Sequence, residues 1–355
     1  MYKNGGYTMA NMKDIAQKAG VSIATVSKVL NGLGGISNET TERILTIAKE
    51  LDYRPNLYAR NLKKGKFHTI GIITEDLTVF NAPPIIDGIG AVCEESGYKY
   101  MLENMRINRL CQSSDFNEDK YCQLIRDSID SMLSMQVDGI IYVSCNSYKI
   151  LPKLFHQNIP FVCAYCNSAS LAIPSVLYDD KKAAYDVTGL LIKQGHSYIG
   201  TITGPSDNVH TKNRLIGYQE ALFDHKIPYN PYLTVSCDWV DRDMAYHATK
   251  DLLEQNVTAI FCQNDIIAVG VIDYCAKHNI RVGSDLAVFG FDNREISTVC
   301  RPTLSTVALP LTQIGHRSAS ILIGKIEGNS TVIGETYLDC EIIERESSRR
   351  HSLKC

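Results

Sequence analysis

From Phe67 onward, short apolar runs alternate with amphipathic stretches of helical period, and this alternation limits the fold more than any other feature. HTIGIITE, YKYMLENM, VDGIIYVSC and PFVCAYC read as buried strands, with helices expected over 83–96 and 117–136. The scheme then repeats. HSYIGTITGP, LTVSC, TAIFCQND and LAVFGFDN are strands, separated by helices near 178–195, 211–226, 241–255 and 266–279, with another over 310–328. Continuous apolar strands joined by helices need both faces covered, which means parallel sheets in an α/β fold. Two such sheets in series predict a body of two lobes with a cleft between them.

The chain before Phe67 is of another kind. Asn11 is placed to N-cap a helix, with Asp14 as its capping-box partner. Ile15, Ala16 and Ala19 fall on one face, and Gly20 supplies a tight turn. Ser22 caps a second helix that buries Val26, Val29 and Leu30 and turns Ile23, Ala24, Ser27 and Lys28 outward. Two short helices joined this way are either a small helical hairpin inside a core or a helix-turn-helix, whose second helix enters a DNA major groove. Ser37 caps a third helix, packed back through Ile44, Leu45, Ala48 and Leu51.

Charge supports the division. Residues 1–66 hold eleven Lys and Arg against five Asp and Glu, a balance of +6, and the remainder carries −9. A basic head on an acidic body suits a phosphate-binding module joined to a domain that does not bind nucleic acid. No run of eighteen apolar residues occurs, so no membrane span is expected. The N-terminus lacks the apolar core of a signal peptide. Both point to the cytoplasm, where the twelve cysteines are expected to be reduced core residues.

The segment DIAQKAGVSIATVSKVLN closely resembles the head of the lactose-repressor (LacI/GalR) family, meeting its signature D-[IV]-A-x-x-A-G-V-S-x-x-T-V-S-x-V-[LI]-N throughout. The resemblance implies a body like a periplasmic binding protein. It divides the chain into a disordered tail (1–11), a DNA-binding head (12–52), a hinge helix (53–66) and a body (67–355). Lobe 1 is expected over about 67–166 and 306–332, lobe 2 over about 167–305 and 333–345. A homodimer then presents two heads to a near-palindromic operator. Ile23, Ala24 and Lys28 meet base edges, while Ser22, Thr25, Ser27, Asn31 and Asn56 hold phosphates. In the hinge, Leu62 wedges into the minor groove with Ala59 against its floor.

Ligands of parallel sheets bind beyond the carboxyl ends of the strands. Arg214, Trp239 (the only tryptophan), Asp265 and Asp292 stand there, together with Asn264 and Asn293. Such residues suit a carbohydrate: carboxylates accept from hydroxyls, an Arg fork donates to oxygens, and an aromatic face stacks on C–H groups. The resemblance assigns Arg214 and Asp265 to effector contact, and Phe80 is a candidate from lobe 1. Strand-end Asp and Asn also cap helices, so each alone has a purely structural reading.

Other constellations are weak. Cys163 and Cys166 form a lone CxxC without a second ligand pair, and His196 and His210 stand isolated in sequence. No glycine-rich phosphate cradle occurs, so neither a cofactor nor a metal is expected. The reading is a non-enzymatic repressor controlled by a sugar or sugar derivative. Two other classes fit part of the pattern: a ligand-independent architectural DNA binder, and an enzyme with an accessory helical head.

Overall fold

The computed structural model describes residues 10–53, 67–110, 117–145, 149–150 and 159–349. The chain divides into two compact units, Met1–Phe67 and His68–Cys355.

In the first unit, helices α1 (Met12–Ala19), α2 (Ile23–Leu30) and α3 (Asn38–Glu50) close on a small core. Asn11 accepts from the backbone N–H of Lys13 (2.8 Å) and Asp14 (3.2 Å), and the Asp14 carboxylate accepts from the Asn11 N–H at 2.8 Å. This is the expected reciprocal cap. Gly20 ends α1 at φ +63°, left-handed backbone that suits a residue without Cβ. Ile15, Ala16, Ala19, Val26, Ile44, Ile47 and Ala48 form the buried cluster. Leu45, expected in it, is exposed, and Ile47 takes that role because it lies one turn from Ile44 on the same face.

The second unit has two parallel sheets. The first contains β1 (Thr69–Thr74), β2 (Lys99–Asn104), β3 (Gly139–Val143), β4 (Phe161–Ala164), β5 (Ser175–Tyr178) and β11 (Glu335–Leu338), in the order β11-β5-β4-β3-β1-β2. Helices α4 (Ala82–Glu95) and α10 (Leu311–Glu327) cover one face, and α5 (Glu118–Ser134) covers the other. The second sheet contains β6 (Ile199–Thr203), β7 (Thr234–Ser236), β8 (Ala259–Cys262) and β9 (Ala287–Phe289), in the order β9-β8-β6-β7. Helices α6 (Asp180–Lys193) and α7 (Val209–Asp224) cover one face, α8 (Arg242–Glu254) and α9 (Asp265–Lys277) the other. A short antiparallel ribbon, β10 (Thr306–Ala308) with β12 (Glu341–Ile343), joins the lobes.

The expected lobe boundaries move. Ser175–Tyr178 and Glu335–Leu338, both assigned by sequence to lobe 2, complete the lobe 1 sheet, with Ser175 opposite Glu335. The chain therefore crosses near Asp179 rather than Asn167, and its last crossing follows Leu338 rather than Ile333. Each of these strands is four residues long and pairs with a distant segment, so neither carries a local pattern. The middle crossing, at Thr306–Ala308, falls beside the expected Ser305.

The helices of each lobe approach closely at glycine. A Cβ on Gly315 of α10 would stand 1.9 Å from the Ile85 carbonyl oxygen, and one on Gly88 would stand 2.1 Å from that of Thr312. Glycine at both positions lets the α4 and α10 backbones touch. One buried cluster runs from Ile70 and Ile141 through Tyr178 to Tyr218, Phe261 and Phe289, so lobe 1 and lobe 2 share a core. Among the described residues, no helix is long and apolar enough to cross a membrane.

Candidate functional site

A cavity of about 240 Å³ lies between the lobes, at the carboxyl ends of both sheets. The loop after β1 lines it with Thr78, Val79 and Phe80, and Cys145 and Tyr165 complete the lobe 1 side. Lobe 2 contributes Arg214 from α7, Trp239 after β7, and Asp292 and Arg294 after β9. Four of the five sequence candidates, Phe80, Arg214, Trp239 and Asp292, thus meet in one place.

Arg214 is buried, and each of its three nitrogens donates to the protein. Its Nε donates to Asp180 Oδ1 at 2.7 Å, one terminal nitrogen donates to the Gln263 carbonyl, and the other to Tyr178 Oη at 2.9 Å. Asp292 Oδ1 lies 3.5 Å from that last nitrogen, and the Phe291 ring stacks 3.7 Å beneath the guanidinium carbon. Burial alone would raise the Asp180 carboxyl, but His210 and Arg214 together hold it below the usual carboxylate range. Asp292 goes the other way. Burial pushes it up to about 6, although Arg214 and Arg294 oppose the shift.

Asp265 does not line the cavity. It opens α9 with its side chain turned back into the protein, Oδ1 accepting from Thr306 Oγ1 (2.6 Å) and Oδ2 from the Arg294 N–H (2.6 Å). Burial, then the nearby Asp292 charge, raise it to about 7. It is a positioning residue: it ties α9 to β10 and fixes the backbone of Arg294, which does reach the cavity. The neighbouring Asn264 lines the wall instead, while capping α9 and donating to the Trp239 carbonyl at 2.8 Å.

His210, isolated in sequence, is not isolated in the fold. Its Nδ1 lies 2.6 Å from Asp180 Oδ2 and 3.0 Å from Tyr178 Oη. His210 and Arg214 stand one turn apart on α7, and the i, i+4 spacing is the signal that could have paired them. Tyr165, Asn208 and Arg294 carried no comparable signal. Arg294 lies over the Phe80 ring at 5.0 Å, a contact from lobe 2 to lobe 1 across the cavity. Among the described residues, no group of three or more His, Cys, Asp or Glu is placed to hold a metal ion. Cys163 and Cys166 are both buried and do not form a disulfide.

Trp239 is held by a close approach. A Cβ on Gly204 would fall 2.4 Å from the indole Cε2. Gly204→Ala should therefore displace the ring. As the only tryptophan, Trp239 reports the cavity directly by its emission. The expected result is a shifted emission maximum with altered acrylamide quenching, while the far-ultraviolet circular dichroism stays unchanged. An emission spectrum identical to that of the parent chain would show that the wall yields elsewhere.

On the head, Ile23, Ala24 and Lys28 are exposed along α2. Ser22 N-caps this helix, accepting from the Thr25 N–H at 3.1 Å, and its Oγ lies 2.9 Å from Thr25 Oγ1. Asn31 donates to the Ser27 carbonyl at 2.7 Å, so these two also close the C-terminal end of α2. Asn56, Ala59 and Leu62 lie outside the described residues.

Comparison with known proteins agrees with this architecture. Residues 11–56 match the bacterial regulatory proteins of the lacI family, and residues 188–348 match a periplasmic binding protein-like domain. The HTH-type transcriptional repressor CytR of Escherichia coli (strain K12) is 31% identical over 345 residues, covering 96% of this chain and 97% of that protein. The chain belongs to the lacI family of regulatory proteins. Among solved structures, the Lac repressor dimer bound to operator and the anti-inducer ONPF superposes with a TM-score of 0.79 over 96% of this chain and all of that one. At 22% identity, that likeness concerns the fold. The transcriptional regulator CelR in complex with cellobiose gives a TM-score of 0.65 at 26% identity, covering 96% of this chain and 100% of that one. The chain thus has the lacI-family layout: helix-turn-helix helices, then a two-lobed body of parallel sheets. Its relatives are transcriptional regulators rather than enzymes.

Proposed function

We propose that this lacI-family protein is a dimeric transcriptional repressor whose hold on a near-palindromic operator is set by a small molecule bound between the lobes. One observation carries the reading: a single chain joins a helix-turn-helix with an exposed Ile23–Ala24–Lys28 face to a body with a polar and aromatic cavity. Lys28 donates to guanine O6 or N7, and Ile23 and Ala24 make apolar contact, including with a thymine methyl. Ser22, Thr25, Ser27 and Asn31, with Asn56, hold phosphates and set the register. Leu62, with Ala59, wedges the minor groove. Arg214, Asp292, Trp239 and Phe80 form the effector site, with Asp265 positioning it. The effector is a sugar or sugar derivative, a class supported by the acceptor-rich wall and the cellobiose named for CelR. The protein acts in the cytoplasm. Effector and operator affinities are coupled reciprocally, because both depend on the relation of the lobes.

The test is selection of a site from randomised duplexes by the full chain, followed by titration. A near-palindromic site should emerge. On it, Lys28→Ala should weaken binding by about 1–3 kcal/mol for each half-site contact, roughly five- to 150-fold. Binding to unrelated duplex should change far less. Equal losses on both would reject base reading by Lys28. Operator affinity indifferent to every compound that alters Trp239 emission would favour the ligand-independent binder.

A further inference from the structure

Two arginines line the cavity, and they are held differently. Arg214 is bound to the protein, whereas among the described residues the Arg294 guanidinium makes no hydrogen bond or ion pair. The main chain of Arg294 is fixed: its N–H donates to Asp265 Oδ2 at 2.6 Å, and Thr306 donates to the other oxygen of that carboxylate at 2.6 Å. Its side chain is half-buried and reaches lobe 1, where the guanidinium carbon lies 5.0 Å from the centre of the Phe80 ring. Phe80 also lines the cavity, so the charged end of Arg294 stands where an occupant can meet it. The Phe80 ring attracts the charge but has no lone pair to accept an N–H. Two carboxylates stand nearby, and neither pairs with the guanidinium. Asp265 is turned to Thr306 and to the Arg294 main chain, and Asp292 lies 3.5 Å from Arg214. The lobe 1 side of the cavity, formed by Thr78, Val79, Phe80, Cys145 and Tyr165, carries no carboxylate.

We propose that Arg294 receives an anionic group of the effector, so that the site selects a sugar derivative bearing a phosphate or a carboxylate over the parent sugar. The proposal rests on reading the cavity as the effector site. An occupant that displaces water from a guanidinium must return the hydrogen bonds it removes. A phosphate or carboxylate does so with two parallel acceptors and the opposite charge, whereas a hydroxyl offers one neutral acceptor. The rest of the cavity still suits a sugar ring: Trp239 gives it a face to stack on, and Asp292 accepts from its hydroxyls. Asp265 then affects affinity without touching the ligand, because it sets the main chain from which the fork extends.

The test follows Trp239 emission of the full chain with glucose, glucose 6-phosphate, glucuronate, ribose and ribose 5-phosphate, at ionic strength matched with chloride. An anionic compound should bind more tightly than its parent sugar. Arg294→Met should weaken that compound by roughly tenfold or more, the value of a hydrogen bond to a charged group, and leave parent-sugar binding nearly unchanged. Arg294→Lys, which keeps the charge and loses the fork, should recover part of the loss. Selection of the phosphates alone, or of glucuronate alone, supports the proposal and says which anion the fork takes. Tighter binding of the parent sugars, or unchanged affinity for the anionic compound in Arg294→Met, overturns it and leaves the cavity reading standing. Silence from all five compounds overturns the sugar reading of the cavity, and the proposal with it.

Discussion

Ile44→Ala should unfold the head while leaving the body intact. Ile44 is fully buried in a cluster of seven small and branched side chains drawn from three short helices. Truncating a buried Ile removes apolar burial and leaves a cavity, together costing about 2–5 kcal/mol. A unit this small buries a limited fraction of its surface and has little stability in reserve. Amides within 12–51 should exchange roughly a hundredfold faster or more in hydrogen-exchange mass spectrometry of the full chain. Those of β1 to β9 should keep their protection, and duplex binding should fall with the head. Equal acceleration in the body would mean that the two units unfold as one.

Arg214→Ala should destabilise the body more than any other single change at the cavity. The substitution leaves Asp180 buried without its guanidinium partner, and Asp292 loses the counter-charge 3.5 Å away. Breaking a buried pair from one side costs about 3–5 kcal/mol. For a body of this size, that lowers the melting temperature by roughly 10 °C. The pH dependence checks the cause. In the parent chain, Asp180 lies below its ordinary value, so its contribution is complete above the unfolded pKa and is lost as pH falls through the folded one. In the variant, burial without the guanidinium raises the same group, so acidification relieves it. The gap in melting temperature between parent and variant should therefore narrow from pH 8 to pH 5. Adding Asp180→Asn should recover part of the loss. A gap that is constant with pH would point to lost packing on Phe291 rather than to charge.

What was legible in the sequence was what short-range chemistry writes down. The capping box of Asn11 and Asp14, the turn at Gly20 and the buried face through Val26 are local, and each was visible in the order of residues. Strand-end logic found Phe80, Arg214, Trp239 and Asp292 because cavity and strand ends coincide in parallel sheets. It could not distinguish Asn264 from Asp265. Adjacent residues at a helix start point in different directions, and only the three-dimensional partners Thr306 and Arg294 claim one of them. The Asp180–His210–Arg214 array was hidden for a related reason. Its carboxylate comes from the helix after the first crossing, a crossing placed too early in the chain. That error traces to β5 and β11, whose pairing depends on partners far away in sequence.

The interleaving of the lobes also sets an order of assembly. The lobe 2 sheet is drawn from one uninterrupted stretch, Ile199 to Phe289. The lobe 1 sheet begins at Thr69 yet waits for Glu335–Leu338 to cover the outer edge of β5, and for Leu311–Glu327 to cover one face. A chain leaving the ribosome from its N-terminus can thus close the second lobe while the first still has an open strand edge and a half-covered apolar face. The part of the body that is translated first is finished last. Until residue 338 emerges, that half-built sheet is where a nascent chain of this protein is most exposed to mispairing with its neighbours on a polysome.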